Sequence, residues 1–524
     1  MKDLPSYRLK NLVGRDVDSP SNGPALVCFI KEDCPTCREV MPALADLYRV
    51  LNGIAEVHVI GQNLSGNQLL AEDFDPPFSI LDDSALQVSF GANIEIVPSL
   101  VVVDASGETA RVLEGFVKQE WLQVIVDWVQ PLGNPAPDLD WSSFPDWRPG
   151  CGSLSVDPAN EPRLRALQEG SPMRARQISV GSQDDVAEFM FDQGFSDGLP
   201  LIPPTPERVL TMLEGCSRDP QEVLAVMPPN MGEVTVEKAA INAVMAGCRP
   251  EYLPVVIAAV EAVIDEAYNI HGVMATTMGA SPVMVVNGPV RHTLGMNMGM
   301  GALGQGNRAN ATIGRALRLI IRNVGGARPG ETERSTLGNP MKFSLCFAEW
   351  EERNPWSPLH VERGFKPEDS VITLFTMTSG PNLIVDQDSR SAAALAGTLG
   401  QTMASIFNAK AYLATDCLLV IVPEHVNTFV RDGYDKAAIR QRIQEVTRRP
   451  LRELIADQLS GAGVKPEAAA KMDAERLDTP VAKFKSDEDI HIVVAGGEAG
   501  KFSGLFHGWL TGEMGSVPVS RKID

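Results

Sequence analysis

The sequence is short of three things, and each shortage narrows what the chain can be. It has only 8 cysteines in 524 residues. All but one pair are scattered, so there is no disulfide scaffold, and a reducing compartment suits the chain. It is also short of positive charge: 46 Lys and Arg stand against 67 Asp and Glu, a formal net charge of −21. That balance argues against nucleic acid and anionic membrane surfaces, both of which need a basic face. Finally, no apolar run reaches the length of a membrane span. Met1-Lys2-Asp3-Leu4-Pro5-Ser6 lacks the apolar stretch and cleavage pattern of a secretory signal. The expected location is the cytoplasm.

What is present reads as globular: 44% hydrophobic and 22% charged residues. At this length one core is not enough, and two or three domains are expected. The most informative motif is Cys34-Pro35-Thr36-Cys37, directly after the apolar run Ala25-Leu26-Val27-Cys28-Phe29-Ile30. A helix starting at the first cysteine sets that thiol over unpaired N–H groups, which favours its thiolate. The second thiol, one turn on, can resolve a mixed disulfide. A zinc site would need two further ligands, and neither a second C-x-x-C nor an H-x-x-x-H exists. The preceding Glu32 and Asp33 are expected to oppose a thiolate at Cys34.

Around this motif the pattern gives strands at 26–30, 55–60 and 99–103. Helices are expected with Val40, Leu44, Leu47 and Leu51 on one face, near 84–90, and over 119–129. Val103-Asp104-Ala105-Ser106-Gly107 signals a hairpin. With Ile96-Val97-Pro98-Ser99 in its place, the unit resembles the thioredoxin-like fold. The resemblance implies a cis-proline at Pro98 beside the active thiols, holding a partner strand, with Cys34 attacking and Cys37 resolving. Thioredoxins usually carry an aromatic residue where Glu32-Asp33 stand.

From Pro131 to Val180 the chain is rich in Pro, Asp, Ser, Trp and Arg and reads as a linker or a strap over a surface. Within it, Gly150 and Gly152 flank Cys151 and leave that thiol little crowded. Cys151-Gly152-Ser153 resembles the U-G-S-C motif of a little-characterised bacterial family with an N-terminal thioredoxin-like unit, some of whose members carry selenocysteine. Leu154 stands at the second thiol position. The resemblance extends to Asp197-Gly198-Leu199-Pro200 and Ala309-Asn310-Ala311-Thr312-Ile313-Gly314-Arg315. It implies no particular reaction.

Beyond residue 183 the pattern is α/β. Helices are expected over 186–193, 206–215, 235–246, 254–268, 311–323, 392–407 and 435–448. Buried strands are expected over 282–286, 417–422 and 490–494. Ligands bind beyond the carboxyl ends of strands in open α/β sheets, so the loops after these strands are the candidate pocket. They offer Asn287 and His292, then Arg308 and Asn310 as donors to an anion at a helix start, then Glu424 and His425 as base and orienter, and Lys501. Gly496-Gly497-Glu498-Ala499-Gly500-Lys501 departs from a phosphate loop at Ala495 and Phe502. Met296, Met298 and Met300 suggest either adaptable packing or a soft metal. Arg315, Arg318 and Arg322 read as a solvated helix face. Cys216 and Cys248 follow helix ends as candidate resolving thiols, and Cys28, Cys346 and Cys417 read as core.

The expected architecture is therefore α/β: a thioredoxin-like dithiol domain (1–132), a Pro-rich strap (133–182), and a larger α/β catalytic or substrate-binding region (183–524). The expected activity is that of a thiol–disulfide oxidoreductase, in which Cys34 and Cys37 reduce a catalytic thiol on the larger region, Cys151 by preference. Its partners would be a small-molecule substrate, a cellular thiol reductant and a second copy of the chain. No cofactor and no metal site is expected. Two rival readings are a hydrolase or lyase with a regulatory dithiol, and a metal-handling or redox-dependent binding protein.

Overall fold

The computed structural model describes residues 4–20, 23–132, 137, 139–158, 160–168, 170–178, 180–181, 185–512 and 514–524. Two compact units divide the chain, Met1–Ser179 and Val180–Asp524. The stretch expected as a strap, where described, therefore belongs with the first unit up to its end. Its residues 133–136, 138, 159, 169, 179 and 182 lie outside the described residues.

In the first unit the elements run β1 (Arg8–Asn11), β2 (Asp16–Asp18), β3 (Ala25–Ile30), α1 (Pro35–Leu51), β4 (Glu56–Gly61), α2 (Leu64–Phe74), β5 (Ile80–Asp82), α3 (Gln87–Gly91), β6 (Ile96–Val97), β7 (Ser99–Val103), β8 (Thr109–Glu114), β9 (Phe116–Val117) and α4 (Lys118–Val129). The main sheet has the order β2-β1-β5-β4-β3-β7-β8. The pairs β3–β4 and β4–β5 are parallel, and β3–β7 is antiparallel. β3 is covered on both faces, which is why its sequence is an unbroken apolar run. The expected hairpin joins β7 to β8 through Asp104, whose carboxylate accepts from the Ser106 N–H at 2.8 Å.

The strap is not a loose linker. Trp141 is 3% exposed and packs into the core with Phe116 and Phe144. Its indole N–H donates to Asp46 Oδ2 at 3.0 Å. Two short strands follow: β10 (Trp147–Arg148) pairs with β9, and β11 (Cys151–Gly152) pairs with β6, both antiparallel. Beyond them Ser155 is fully buried and donates to Ile94 O at 2.9 Å. Trp141 contributes the apolar area that pins the segment, and a proline-rich composition gives no periodic signal of it.

The second unit is built on a mixed sheet ordered Cys346–Ala348, Ser281–Asn287, Val371–Val385, Phe502–Leu510, Thr415–Ile421, Ile490–Val494, with Val519–Lys522 added on Val371–Val385. One arrangement occurs twice. A strand pairs in parallel with an outer strand and antiparallel with an inner one: Ser281–Asn287 with Cys346–Ala348 and Val371–Val385, then Thr415–Ile421 with Ile490–Val494 and Phe502–Leu510. The two inner strands pair with each other. Just past the first outer strand, Trp350 N donates at 2.7 Å to Val494 O at the end of the other. Alternate residues of the strands, among them Val283, Phe347, Phe375, Leu418, Val493 and Phe506, fill a core. The opposite face of the second half packs on the helices Ala392–Met403, Pro423–Arg431 and Lys436–Thr447 through Leu395, Phe429 and Ile443.

The three expected strands of this unit are present. Its long inner strands were missed, since Gly380-Pro381 interrupts one and Gly504 and Gly508 thin the pattern of the other. The Pro423-Glu424-His425 stretch, expected as a loop, opens a helix, with proline at its first turn.

Candidate thiol site

Cys34 is the N-cap of α1, with Pro35 at the first helical position and extended backbone at the cap itself. The Cys37 N–H donates to Cys34 Sγ at 3.2 Å, and the Cys34 thiol faces the Val97 carbonyl at 3.4 Å. Pro98 follows through a cis Val97–Pro98 bond, as the resemblance implied. Donation from the Cys37 thiol, opposed by burial and helped by the Cys37 N–H and by Cys151, holds Cys34 down at about 6. Burial, followed by the Cys34 thiolate, pushes Cys37 well up, so one thiolate and one thiol are set side by side. The carboxylates expected to oppose the thiolate are occupied elsewhere. Glu32 pairs with Arg38 at 3.3 Å and Asp33 with Lys31 at 3.3 Å. The N–H groups of Thr36 and Cys37 at the helix start lower Cys34.

Cys151 stands in the first unit, not on the larger one to which the sequence reading gave it. It lies across from Val97 in the β11–β6 pair, and its thiol helps hold the Cys34 thiolate. Burial first, then Cys34, raises Cys151 itself. Thr36 Oγ1 donates to Pro149 O at 2.6 Å, and Arg148 pairs with Glu39 at 2.8 Å. Gln62 donates to Ser153 Oγ at 2.7 Å and accepts from Leu154 N at 3.0 Å. Thr36, Gln62 and Ser153 were not picked out as site residues; Thr36, inside C-x-x-C, and Ser153, inside the stretch resembling U-G-S-C, carried a signal, and Gln62 none. A Cβ at Gly150 would fall on Ile96 Cγ2 and come within 2.7 Å of Val97 O, so only glycine lets the segment lie this close.

In the second unit a cleft of about 280 Å³ is lined by residues 301–304, after the first expected strand, and by residues 495–497, 499 and 500, after the third, whereas the second contributes Val420 and Val422 and not Pro423, Glu424 or His425. Gly301, Gly304, Val422, Gly496 and Gly500 are among its walls, and none of the seven expected binding residues is. Asn287 is buried and donates to Glu349 at 2.7 Å and Glu351 at 3.0 Å. His292 pairs at the surface with Glu352 at 2.8 Å. Arg308 donates to Gly247 O at 2.8 Å, Asn307 caps its own helix, and Asn310 holds the preceding loop through Asn297 N and O. The proposed anion donors are thus spent on the fold. Glu424 accepts from Gly500 N at 2.7 Å. His425 is buried between Ser503 Oγ at 2.7 Å and Asp386 O at 3.1 Å, and burial lowers its pKa. Lys501 Nζ reaches Gln387 O at 3.3 Å.

The arginine face expected to be solvated is covered. Arg315 grips Asp197 with two bonds of 2.9 and 2.7 Å and also reaches Leu199 O and Pro200 O. Arg318 is 9% exposed beside Glu333, and Arg322 donates to Gly194 O. A helical wheel shows the polar face but not the loop that lies over it. Met296 is buried, Met298 Sδ accepts from Arg291 at 3.3 Å, and Met300 is exposed, so the three sulfurs occupy different surroundings. Cys248 is buried and its thiol is pushed up to about 12 by that burial, while Cys216 is partly exposed. Cys28, Cys346 and Cys417 are core, as expected.

Sheet order, the C-x-x-C at the start of α1 and the cis-proline before β7 define the first unit as thioredoxin-like, and such a module with this cysteine pair suggests thiol–disulfide redox chemistry. No family model matches the chain, and no curated protein matches it. Among solved structures it is similar to StoA from Bacillus subtilis, at 18% identity over 24% of this chain and 97% of that one, TM-score 0.22. It is also similar to a secreted Mycobacterium tuberculosis disulfide oxidoreductase homologous to Escherichia coli DsbE, at 18% identity over 23% and 95%, TM-score 0.21. A third is an uncharacterized conserved protein from Geobacillus kaustophilus, at 19% identity over 29% and 89%, TM-score 0.23. Among the described residues no helix is long and apolar enough to cross a membrane.

Proposed function

We propose that the first unit is a three-thiol reductase for small-molecule disulfides. Cys151, the partly exposed thiol, gives its proton to the Cys34 thiolate and attacks a disulfide R–S–S–R, forming Cys151–S–S–R and releasing one R–S⁻. Cys34 hands that proton to the departing R–S⁻ and, as thiolate again, attacks Cys151 Sγ and releases the second R–S⁻, forming a Cys34–Cys151 disulfide. Cys37 loses its proton and attacks Cys34 Sγ, leaving a Cys34–Cys37 disulfide and a free Cys151. Two electrons and one proton have passed from the Cys34 thiolate and Cys37 thiol to R–S–S–R, giving R–SH and R–S⁻, and the latter takes its proton from solvent. A thiol reductant restores the pair, itself becoming a disulfide. The single observation behind this reading is that β11 sets Cys151 opposite Val97, beside a Cys34 thiol held at about 6. Because all three thiols sit in one unit, the transfers from Cys151 to Cys34 and from Cys34 to Cys37 are intramolecular and run at high effective concentration.

In this reading Cys34 supplies what the motif resembling U-G-S-C lacks at Leu154. Cys216 and Cys248 have no part, and the larger unit is assigned no step. The test is a Cys37→Ser variant exposed to hydroxyethyl disulfide. A Cys34–Cys151 cross-link should accumulate in non-reduced peptide maps. A variant that carries only the hydroxyethyl adduct on Cys34, with Cys151 free, would overturn the relay.

A further inference from the structure

The same segment that brings in Cys151 bears on what the site can accept, a question that rests on the thiol-exchange reading above. β6 is a two-residue strand outside the main sheet, and its only pairing among the described residues is with β11. Left bare, its backbone N–H and C=O groups beside Cys34 would take an incoming extended chain. They are already taken. Within the segment 147–153, residues 150–153 run along this edge while Trp147 and Arg148 pair with β9, and Gly150 packs against Ile96 and Val97 with no room for a side chain. Thr36 and Glu39, on the first turns of α1, hold Pro149 and Arg148.

The segment is also fixed at both ends. Trp141 is sunk in the core on one side, and on the other Ser153 N donates to Glu95 O at 2.8 Å while Gln62 and Ser155 lock the turn beyond. Under it Cys34 has no accessible surface at all. Cys151 keeps some, so of the three thiols it is the one an incoming disulfide can touch.

We infer that residues 147–153 are a resident occupant of the edge at which a partner polypeptide would pair, so that the dithiol acts on small-molecule disulfides through Cys151 and excludes protein disulfides. Entry is set by size: a compact disulfide reaches Cys151, whereas a polypeptide cannot lie against β6 to present its own disulfide to Cys34.

The test uses the full chain with dithiothreitol as electron source and two oxidants, hydroxyethyl disulfide and insulin. Wild-type protein should turn over hydroxyethyl disulfide and leave insulin at the dithiothreitol background. Thr36→Val, which removes one hydrogen bond to the segment, should raise insulin reduction about fivefold, and Gly150→Val should raise it further. Insulin reduction by the wild type as fast as by the variants would overturn the inference. So would variants that stay at background while hydroxyethyl disulfide is consumed. Loss of both reactions in every form would instead sink the thiol-exchange reading. Should the variants not fold, the wild type alone decides: a maleimide bearing a polyethylene glycol chain should label Cys34, located by peptide mapping, only after unfolding in urea, and rapid labelling of Cys34 in the native protein would refute the occupant.

Discussion

Cys151 lies directly across an antiparallel pair from Val97, and the Val97 carbonyl oxygen is 3.4 Å from Cys34 Sγ. A single backbone pairing therefore brings a third thiol to a C-x-x-C site from a point more than a hundred residues along the chain. The thiolate at Cys34 has two thiol neighbours, one in its own helix and one on the opposing strand.

The first prediction concerns that thiolate. Ultraviolet difference titration of reduced wild type against Cys34→Ser should show a step near pH 6, well below the value of about 8.5 for an ordinary cysteine. Below that step Cys34 is a thiol, and exchange should slow in parallel. In Cys151→Ala one donor is lost, so the step should move to higher pH. A step unmoved by Cys151→Ala would show that this thiol does not touch the site.

A second expectation follows from the anchor. Trp141→Ala should cost the first unit about 3–5 kcal/mol, the usual penalty for emptying a large buried aromatic site. It should also speed labelling of Cys34 by a bulky maleimide, because the segment then has one fixed end. Urea unfolding followed by thiol labelling reads both quantities.

In the second unit, Asp197→Asn should weaken the grip of Arg315. The pair is two-pronged and largely buried, with side-chain exposures of 14% and 11%, so its loss should cost about 3 kcal/mol. The penalty should change little with salt, unlike that of a surface pair. Urea midpoints at low and high ionic strength are the measurement.

His425 gives a pH-dependent case. Burial lowers its pKa, so the fold favours the neutral ring. A depressed value contributes stability above the unfolded pKa, about 6.5, and loses it as pH falls toward the folded one. His425→Ala should therefore cost about 1–3 kcal/mol at neutral pH, since Ser503 loses its partner. The gap to wild type should narrow on acidification below about 6.5. Paired urea titrations across that range test it.

What could be read from sequence was what repeats or carries a fixed local geometry. β3 announces itself by being apolar on both faces, and α1 by its cysteine cap, its proline and the spacing of Val40, Leu44, Leu47 and Leu51. β10 and β11 are two residues each, too short for any period, and their partners lie far off in the chain. Cys151 was thus visible as a candidate but not as a neighbour of Cys34. The polar residues Asn287, Arg308, Asn310 and His425 were legible as polar groups at strand and helix ends. Whether such groups face a ligand or satisfy buried backbone is a tertiary fact, and here they satisfy the fold.

Trp141 has a practical corollary for anyone dissecting the chain. A recombinant fragment cut at Leu132, where the last long helix of the dithiol unit ends, would be missing part of its own interior. Phe116 would keep Trp121 but lose Trp141 and Phe144, and β6 would be stripped of its mate. On the reading proposed above, such a truncation would reduce disulfides without regard to size, and its assays would not describe the unit that residues 147–153 complete.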